Sequence, residues 1–225
     1  MKIRPEVRPF LFASLLSGLA VYGVAILSGT SNILSFFLGL LVGGVMAGYM
    51  VFFFRDPDVI VPTEPGIILA AANGNLAKVT EVYEKDYLKQ DTIRISIFLS
   101  LFDVHVNRFP IGGYSTFMGY FPGKRLFTFD EKSSDVNQHN AILVKNEDTS
   151  CLIRQIVGPV CRRVVYWPRS DKMTVAEQGG RFGMMKFGSR LDMYFPKDDI
   201  KMVAKIGDQV TAGETVIARL VRKGK

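Results

Sequence analysis

A chain of 225 residues is long enough for one well-cored domain and an appendage. Its net charge of +7 is spread thinly, with no Lys/Arg cluster interleaved with aromatics, which argues against a nucleic-acid groove and suits a basic domain held at an anionic lipid surface. The hydrophobic fraction, 48%, is high for a soluble protein, and the excess lies N-terminal to Arg55.

Residues 10–28 (FLFASLLSGLAVYGVAILS) and 33–54 (ILSFFLGLLVGGVMAGYMVFFF) carry no charge. At about 1.5 Å rise per residue each reaches about 30 Å, the thickness of a hydrocarbon core. One such run at an N-terminus reads as a signal peptide. A second run after only the linker GTSN predicts a transmembrane helical hairpin instead. Small residues recur on both runs (Ser14, Gly18 and Gly23; Gly39, Gly43, Gly44 and Ala47), which predicts close helix approach. Lys2, Arg4 and Arg8 precede the first run, Arg55 follows the second, and the linker is uncharged. The positive-inside rule then puts both ends on the cytoplasmic side of the cell membrane. The organisation expected is an anchor over residues 1–56 and a globular domain over 57–225, on the cytoplasmic side.

From Pro62 onward the chain consists of short apolar runs punctuated by Gly and Pro, among them GIILAAANG, IRISIFLS, GYSTFMGYFPG, CLIRQIVG and DMYFP. Alternation at Ile93, Ile95 and Ile97 is that of a strand, and few stretches have helical spacing. The fold class expected is mainly β with few short helices. KIGDQVTAGETVIARL (205–220) faintly repeats RSDKMTVAEQGGRFGMM (169–185): an Asp, a hydrophobic residue two further on, a glycine turn and a returning strand. GDxVxxGExV is the pattern of a lipoyl- or biotinyl-type hammerhead, with tight turns at Gly207-Asp208 and Gly213-Glu214. The architecture expected is therefore hammerhead or barrel-sandwich-like. A carrier would present a lysine on the hairpin tip, and no Lys lies between Asp208 and Gly213. The hairpin is read as scaffold.

Cys151 and Cys161 have neither CxxC spacing nor a histidine at ligand spacing, so no metal site and no disulfide is predicted, and reduced thiols are the preferred reading. P-loop and GxSxG signatures are missing. The two histidines are His105, in LFDVHVNRFP, and His139, in DVNQHNAILV. Asp103 and His105 share a face if that segment is extended. Gly188-Ser189 interrupts the apolar run RFGMMKFGSRLDMYFP. A plain turn or bulge would account for the dipeptide. A constrained Gly-Ser also suits an N→O acyl shift, in which the serine hydroxyl attacks the preceding carbonyl and glycine permits the geometry. Elimination then breaks the chain and leaves an N-terminal pyruvoyl group at position 189, a carbonyl able to form a Schiff base with a substrate amine and to act as an electron sink.

KFGSRLDMYFP, SLFDVHVNRFPIGG, RQIVGPVCRRVV and AANGNLAKV together resemble phosphatidylserine decarboxylases, in particular the short bacterial and archaeal type with an N-terminal membrane hairpin. The likeness runs from about Phe53 to Ala218. It implies self-cleavage between Gly188 and Ser189, a β chain of 1–188 and an α chain of 189–225 bearing the pyruvoyl cofactor. It further implies conversion of phosphatidylserine to phosphatidylethanolamine and CO₂. His105 matches the family histidine implicated in decarboxylation, a role that fits an imidazole's capacity to donate a proton near neutral pH. Arg190, Arg108, Arg162 and Arg163 are candidates for a lipid phosphate, or else for structural ion pairs. Where the family has SPADG this chain has Ala70-Ala71-Ala72-Asn73-Gly74, so Asn73 replaces the Asp assigned to the self-cleavage relay, and Arg108 stands where longer enzymes have a second histidine. Asn73 can orient an imidazole but cannot stabilise imidazolium by charge. Three outcomes stay open: His105 serves both steps, maturation is slow, or the proenzyme persists uncleaved. The competing reading is an unprocessed or degenerate homologue, a membrane-anchored protein that only binds anionic lipid or acts as an adaptor. His139 lies where relatives often have Arg in an NERN-like run, matched here by Asn137 and Asn140, and is given no role. The expected partners are the serine phospholipid, the membrane and the chain's own two fragments, with no nucleic acid and a homo-oligomer left open.

Overall fold

The computed structural model describes residues 1–128, 133–159 and 164–221. The chain divides into two compact units, Met1–Asp58 and Val59–Lys225. In the first, strand β1 (Lys2–Ile3) leads through a 3₁₀ turn into helix α1 (Arg8–Leu27), helix α2 (Asn32–Phe53) returns, and β2 (Arg55–Asp56) pairs antiparallel with β1. Helix α1 ends in a Schellman motif: Gly29 has φ +81°, its N–H reaches the Ile26 carbonyl, and the Thr30 N–H reaches that of Ala25. Both helices are long and apolar enough to cross a bilayer. They cross through small residues, since a Cβ on Gly18 would stand 2.7 Å from the Gly39 carbonyl oxygen and one on Gly43 3.2 Å from that of Ser14. Gly23 and Gly44, expected at the same contact, have no neighbour within 4 Å of where a Cβ would stand. At the base of the hairpin, Arg4 lies 3.6 Å from the buried Asp56 carboxylate.

The second unit is built of β3 (Ile67–Leu69), β4 (Gly74–Glu84), β5 (Gln90–Leu99), β6 (Val106–Arg108), β7 (Gly113–Phe121), the short α3 (Ser133–Val136), β8 (His139–Lys145) and β9 (Ser150–Val157). There follow β10 (Val164–Tyr166), β11 (Thr174–Ala176), β12 (Arg181–Met185), β13 (Ser189–Pro196), β14 (Ile200–Met202), β15 (Gln209–Val210) and β16 (Val216–Leu220). Eight strands form an antiparallel sheet in the order β11-β7-β8-β9-β13-β5-β4-β15, and two three-stranded sheets run β10-β12-β6 and β14-β16-β3. The mainly-β expectation holds. The sheets are not closed: the outer strands β11 and β15 have three and two residues and do not pair with each other. The faint repeat has a structural counterpart. Gly179 and Gly213, at φ +75° and +78°, turn the chain into β12 and β16, the inner strands of the two small sheets.

One apolar core is shared by all three sheets, with Ile68 and Ile217, Phe182 and Met185, and Ile97, Leu99, Ile153, Leu191 and Met193. All eight residues of β13 are buried, so this central strand lacks the half-exposed alternation of a surface sheet. Ser189, Leu191, Met193 and Phe195 occupy its core face, and Arg190, Asp192 and Tyr194 the other. That second face stays folded because its charges are paired: Arg190 Nε lies 3.1 Å from Asp192, and Arg154 Nη2 2.9 Å from Glu84.

Candidate active site

β12 ends at Met185, and two residues in succession then adopt left-handed backbone, Phe187 at φ +56° and Gly188 at +66°. An aromatic residue there is strained, whereas glycine is not. Ser189 immediately enters the central strand, where it pairs with Leu99 on one side and Val157 on the other. The Gly188–Ser189 peptide therefore joins a strained turn to a doubly clamped strand. Its carbonyl has a close wall, because a Cβ on Gly158 would stand only 2.5 Å from the Gly188 oxygen. The Ser189 side chain is fully buried, and its Oγ has no hydrogen-bond partner among the described residues. A desolvated hydroxyl without a partner costs about 1–3 kcal/mol.

His105 is fully buried just before β6. Residues 100–103 form a turn in which Asp103 Oδ2 accepts from the Ser100 N–H at 2.8 Å, so the extended arrangement of Asp103 and His105 does not occur. The Asp103 backbone carbonyl instead accepts from His105 Nδ1 at 2.9 Å. With Nδ1 carrying the hydrogen, Nε2 is the nitrogen left to exchange protons. The His105 carbonyl accepts from the Met185 N–H at 3.1 Å, which ties this segment to the strand feeding Gly188. Asn73 lies beyond β5 from Ser189. Its neighbour Gly74 packs against Phe98 and Leu99, the pairing partners of Arg190 and Ser189, so Asn73 stands about two strand spacings, roughly 10 Å, away. Asn73 Oδ1 accepts from the Ala212 N–H at 3.2 Å, and the Ala71 carbonyl from the Arg108 N–H at 3.0 Å.

The arginines divide. Arg190 is buried on the opposite face of β13 from Ser189, paired with Asp192, and it donates to the Thr128 carbonyl at 2.8 Å and to Ser134 Oγ. Arg108 is buried and donates to the Gly179 carbonyl at 2.9 Å. Arg162 and Arg163 lie outside the described residues, as does Cys161. Burial pushes the Cys151 thiol well above its ordinary range, consistent with an inert core cysteine.

A sequence model of the phosphatidylserine decarboxylase family matches residues 46–218. The phosphatidylserine decarboxylase proenzyme of Carboxydothermus hydrogenoformans is 38% identical over 197 residues, covering 88% of this chain and 91% of its own. That of Symbiobacterium thermophilum is 37% identical over 193 residues, 84% and 88% of the two chains. That of Amoebophilus asiaticus is 37% identical over 218 residues, 95% and 92%. The chain belongs to the phosphatidylserine decarboxylase family.

In this member of the phosphatidylserine decarboxylase family the motif Phe187–Asp192 divides between the two faces of one strand, with Ser189 on the core face and the Arg190–Asp192 pair on the other. Several polar residues around it had been given no role from the sequence. Asn137 Nδ2 donates to the carbonyls of Val157 and Leu126 at 2.9 and 2.8 Å, bracing the strand end beside Gly158. Asn140 Nδ2 donates to Gln155 Oε1 at 3.2 Å, and Gln155 Nε2 to Asn107 Oδ1 at 2.7 Å, all three buried. The available signals were the asparagines of NQHN and the lone Gln in the apolar run CLIRQIV. His139 donates from Nδ1 to the Asn137 carbonyl at 2.8 Å and stacks on Phe121 at 5.1 Å. Burial, more than any charge, holds its pKa below the usual histidine value.

Proposed function

We propose that the chain is a membrane-anchored phosphatidylserine decarboxylase, made as a proenzyme that cuts itself between Gly188 and Ser189. The observation that carries this is the buried, unpartnered Ser189 hydroxyl beside a glycine carbonyl on a left-handed turn. In the first step Ser189 Oγ bonds to the Gly188 carbonyl carbon, the C–N bond breaks, and the serine amine is released as the ester forms. Removal of the Ser189 α-proton then expels the Gly188 carboxylate. Addition of water and loss of ammonia from the remaining fragment leave the pyruvoyl group at the head of an α chain of 189–225, with 1–188 as the β chain.

The pyruvoyl group fits here because position 189 is walled by Leu99, Val157 and Leu191, away from bulk water. It supplies a carbonyl that accepts the substrate amine and takes up the electron pair released with CO₂. His105 is held through Nδ1, and its Nε2 is the atom assigned to protonate the carbon that CO₂ leaves. Asn73 fixes the neighbouring hairpin through Ala212 and supplies no charge to a proton relay; in this reading His105 serves self-cleavage as well, without a carboxylate partner. The apolar hairpin holds the domain at the cytoplasmic leaflet. A diacyl lipid need not leave the bilayer there, a gain of about 0.8 kcal/mol for each CH₂ kept buried.

Intact-mass analysis of the purified full chain tests the reading. Two fragments with the cut before Ser189 are expected, together with CO₂ release from phosphatidylserine and its loss on borohydride treatment with substrate. Ser189→Ala should leave one uncut band. A wild-type chain that stays intact and releases no CO₂ would exclude an active enzyme. Asn73→Asp should speed cleavage, and no acceleration would rule out the missing carboxylate as the limiting feature.

A further inference from the structure

The chain of buried amides beside Ser189 has a direction. Asn140 donates to Gln155, Gln155 donates to Asn107, and Asn107 Nδ2 has no acceptor among the described residues. Asn107 is fully buried in β6, so the unused N–H is a standing cost unless a ligand completes it. The position is built rather than incidental. Asn107 pairs with Gly183 of β12, where a Cβ would stand 3.1 Å from Gln155 Nε2 and 2.2 Å from the Val165 carbonyl oxygen. Glycine at 183 is required by the Val165 carbonyl and leaves room for the glutamine of the large sheet to reach the small one.

The chain of amides passes the reacting centre at its middle member, and Asn107 lies one hydrogen bond further on. Val157 stands directly opposite Ser189, and Gln155 lies two residues along on the same face, a diagonal neighbour about 7 Å away. Leu191, Met193, Ile97 and Leu99 share that face and are all apolar, while Arg94, Arg154 and Arg190 lie on the other. A phosphate would call for cations. A carboxylate in apolar surroundings is satisfied by a neutral N–H donor in a charge-assisted bond. We infer that Asn107 Nδ2 binds the carboxylate of the serine head group, and so selects substrate over the amine product, which lacks it. This rests on the decarboxylase reading of Ser189. A neutral donor is suited to the task, since it recognises the carboxylate without opposing its loss as strongly as an arginine would. When CO₂ leaves, the amide is again unpaired, which favours product release.

Asn107→Asp keeps the size and the oxygen facing Gln155, removes the donor and adds a negative charge. Asn107→Leu removes the donor without charge. Each full-length variant is first checked by intact mass for the cut at Ser189, then assayed in mixed micelles for CO₂ release with glycerophosphoserine and glycerophosphoethanolamine as competitors. The wild type should prefer the carboxylate-bearing competitor by roughly 10-fold or more. Leucine should bring that preference to parity and aspartate should invert it, with KM for phosphatidylserine raised about 10- to 100-fold and inhibition by glycerophosphoethanolamine little changed. Preference retained in both variants would overturn the inference. So would cleavage that stops in both while Trp167 fluorescence remains native, because the donor would then act in maturation. A wild-type chain that does not cut overturns the decarboxylase reading itself, whereas a cutting wild type with unselective variants and an unselective parent overturns only the role of Asn107.

Discussion

Ser189 and Arg190 are adjacent in sequence and equally buried, yet the two faces of β13 surround them with different chemistry. Around Ser189 are aliphatic side chains and neutral amides, and its hydroxyl is left without a partner. Around Arg190 are a carboxylate at 3.1 Å, a backbone carbonyl at 2.8 Å and the Ser134 hydroxyl. The first face is poor in fixed charge, and the second holds its charges in ion pairs. They are coupled through the wall of the scissile carbonyl. Arg190 holds Thr128, whose methyl packs 3.4 Å from where a Cβ on Gly158 would be, and Gly158 backs the Gly188 oxygen. The charged face thus frames the Gly188–Ser189 peptide, the bond proposed to be cut.

Breaking the rigid face should have the largest effect on stability. Asp192→Asn leaves the Arg190 guanidinium buried without its counter-charge and should cost about 3–5 kcal/mol. Thermal unfolding of the detergent-solubilised chain should show a drop on the order of 10 °C. If the coupling holds, the cut at Ser189 should also slow at temperatures where the variant remains folded, and unaltered cleavage would separate the two faces. Gly158→Ala probes the wall alone. Its methyl would press on the Gly188 carbonyl at a cost of about 1–3 kcal/mol. Self-cleavage should fall at least about tenfold. Hydroxylamine, which cuts esters, locates the step: without acyl shift it releases no fragment, whereas a block after the shift leaves an ester it can open.

The two faces were unequally legible in the sequence. FGSR singled out Ser189, because Gly-Ser in an apolar run is locally anomalous, and the uncharged hairpin and the glycine turns of 205–220 showed through composition and spacing alone. The partners of Arg190 did not show. Ser134 and Thr128 lie 56 and 62 residues away in sequence, and only the strand order of the large sheet brings them in. Asp192 was visible two positions on, but alternation makes it Arg190's neighbour only once that segment is known to be a strand. Gln155 and Asn107 were given no role, since their significance depends on two sheets facing each other. The expectation of Asp103 beside His105 failed for a local reason: the carboxylate caps its own turn at Ser100 before it can reach a ring.

The smallest effect expected concerns the second histidine. His139 pairs across the sheet with Ile156, which pairs with Arg190, so it belongs to the charged face and not to the reacting one. Its pKa is lowered chiefly by burial and further by Arg154, while the Asn137 carbonyl, Asp192 and Asp86 act the other way. A histidine whose folded pKa lies below its unfolded value contributes stability that is present above the unfolded value of about 6.5 and is lost as pH falls through the folded one. The wild type should therefore lose more stability between pH 7.5 and 5.5 than His139→Gln, by no more than about 4 °C in Tm. Processing at Ser189 should keep the same pH profile in both. If His139→Gln shifted that profile, the division of the strand into a reacting and a framing face would be wrong at this position, because a proton taken up behind β13 would then be felt at the peptide in front of it.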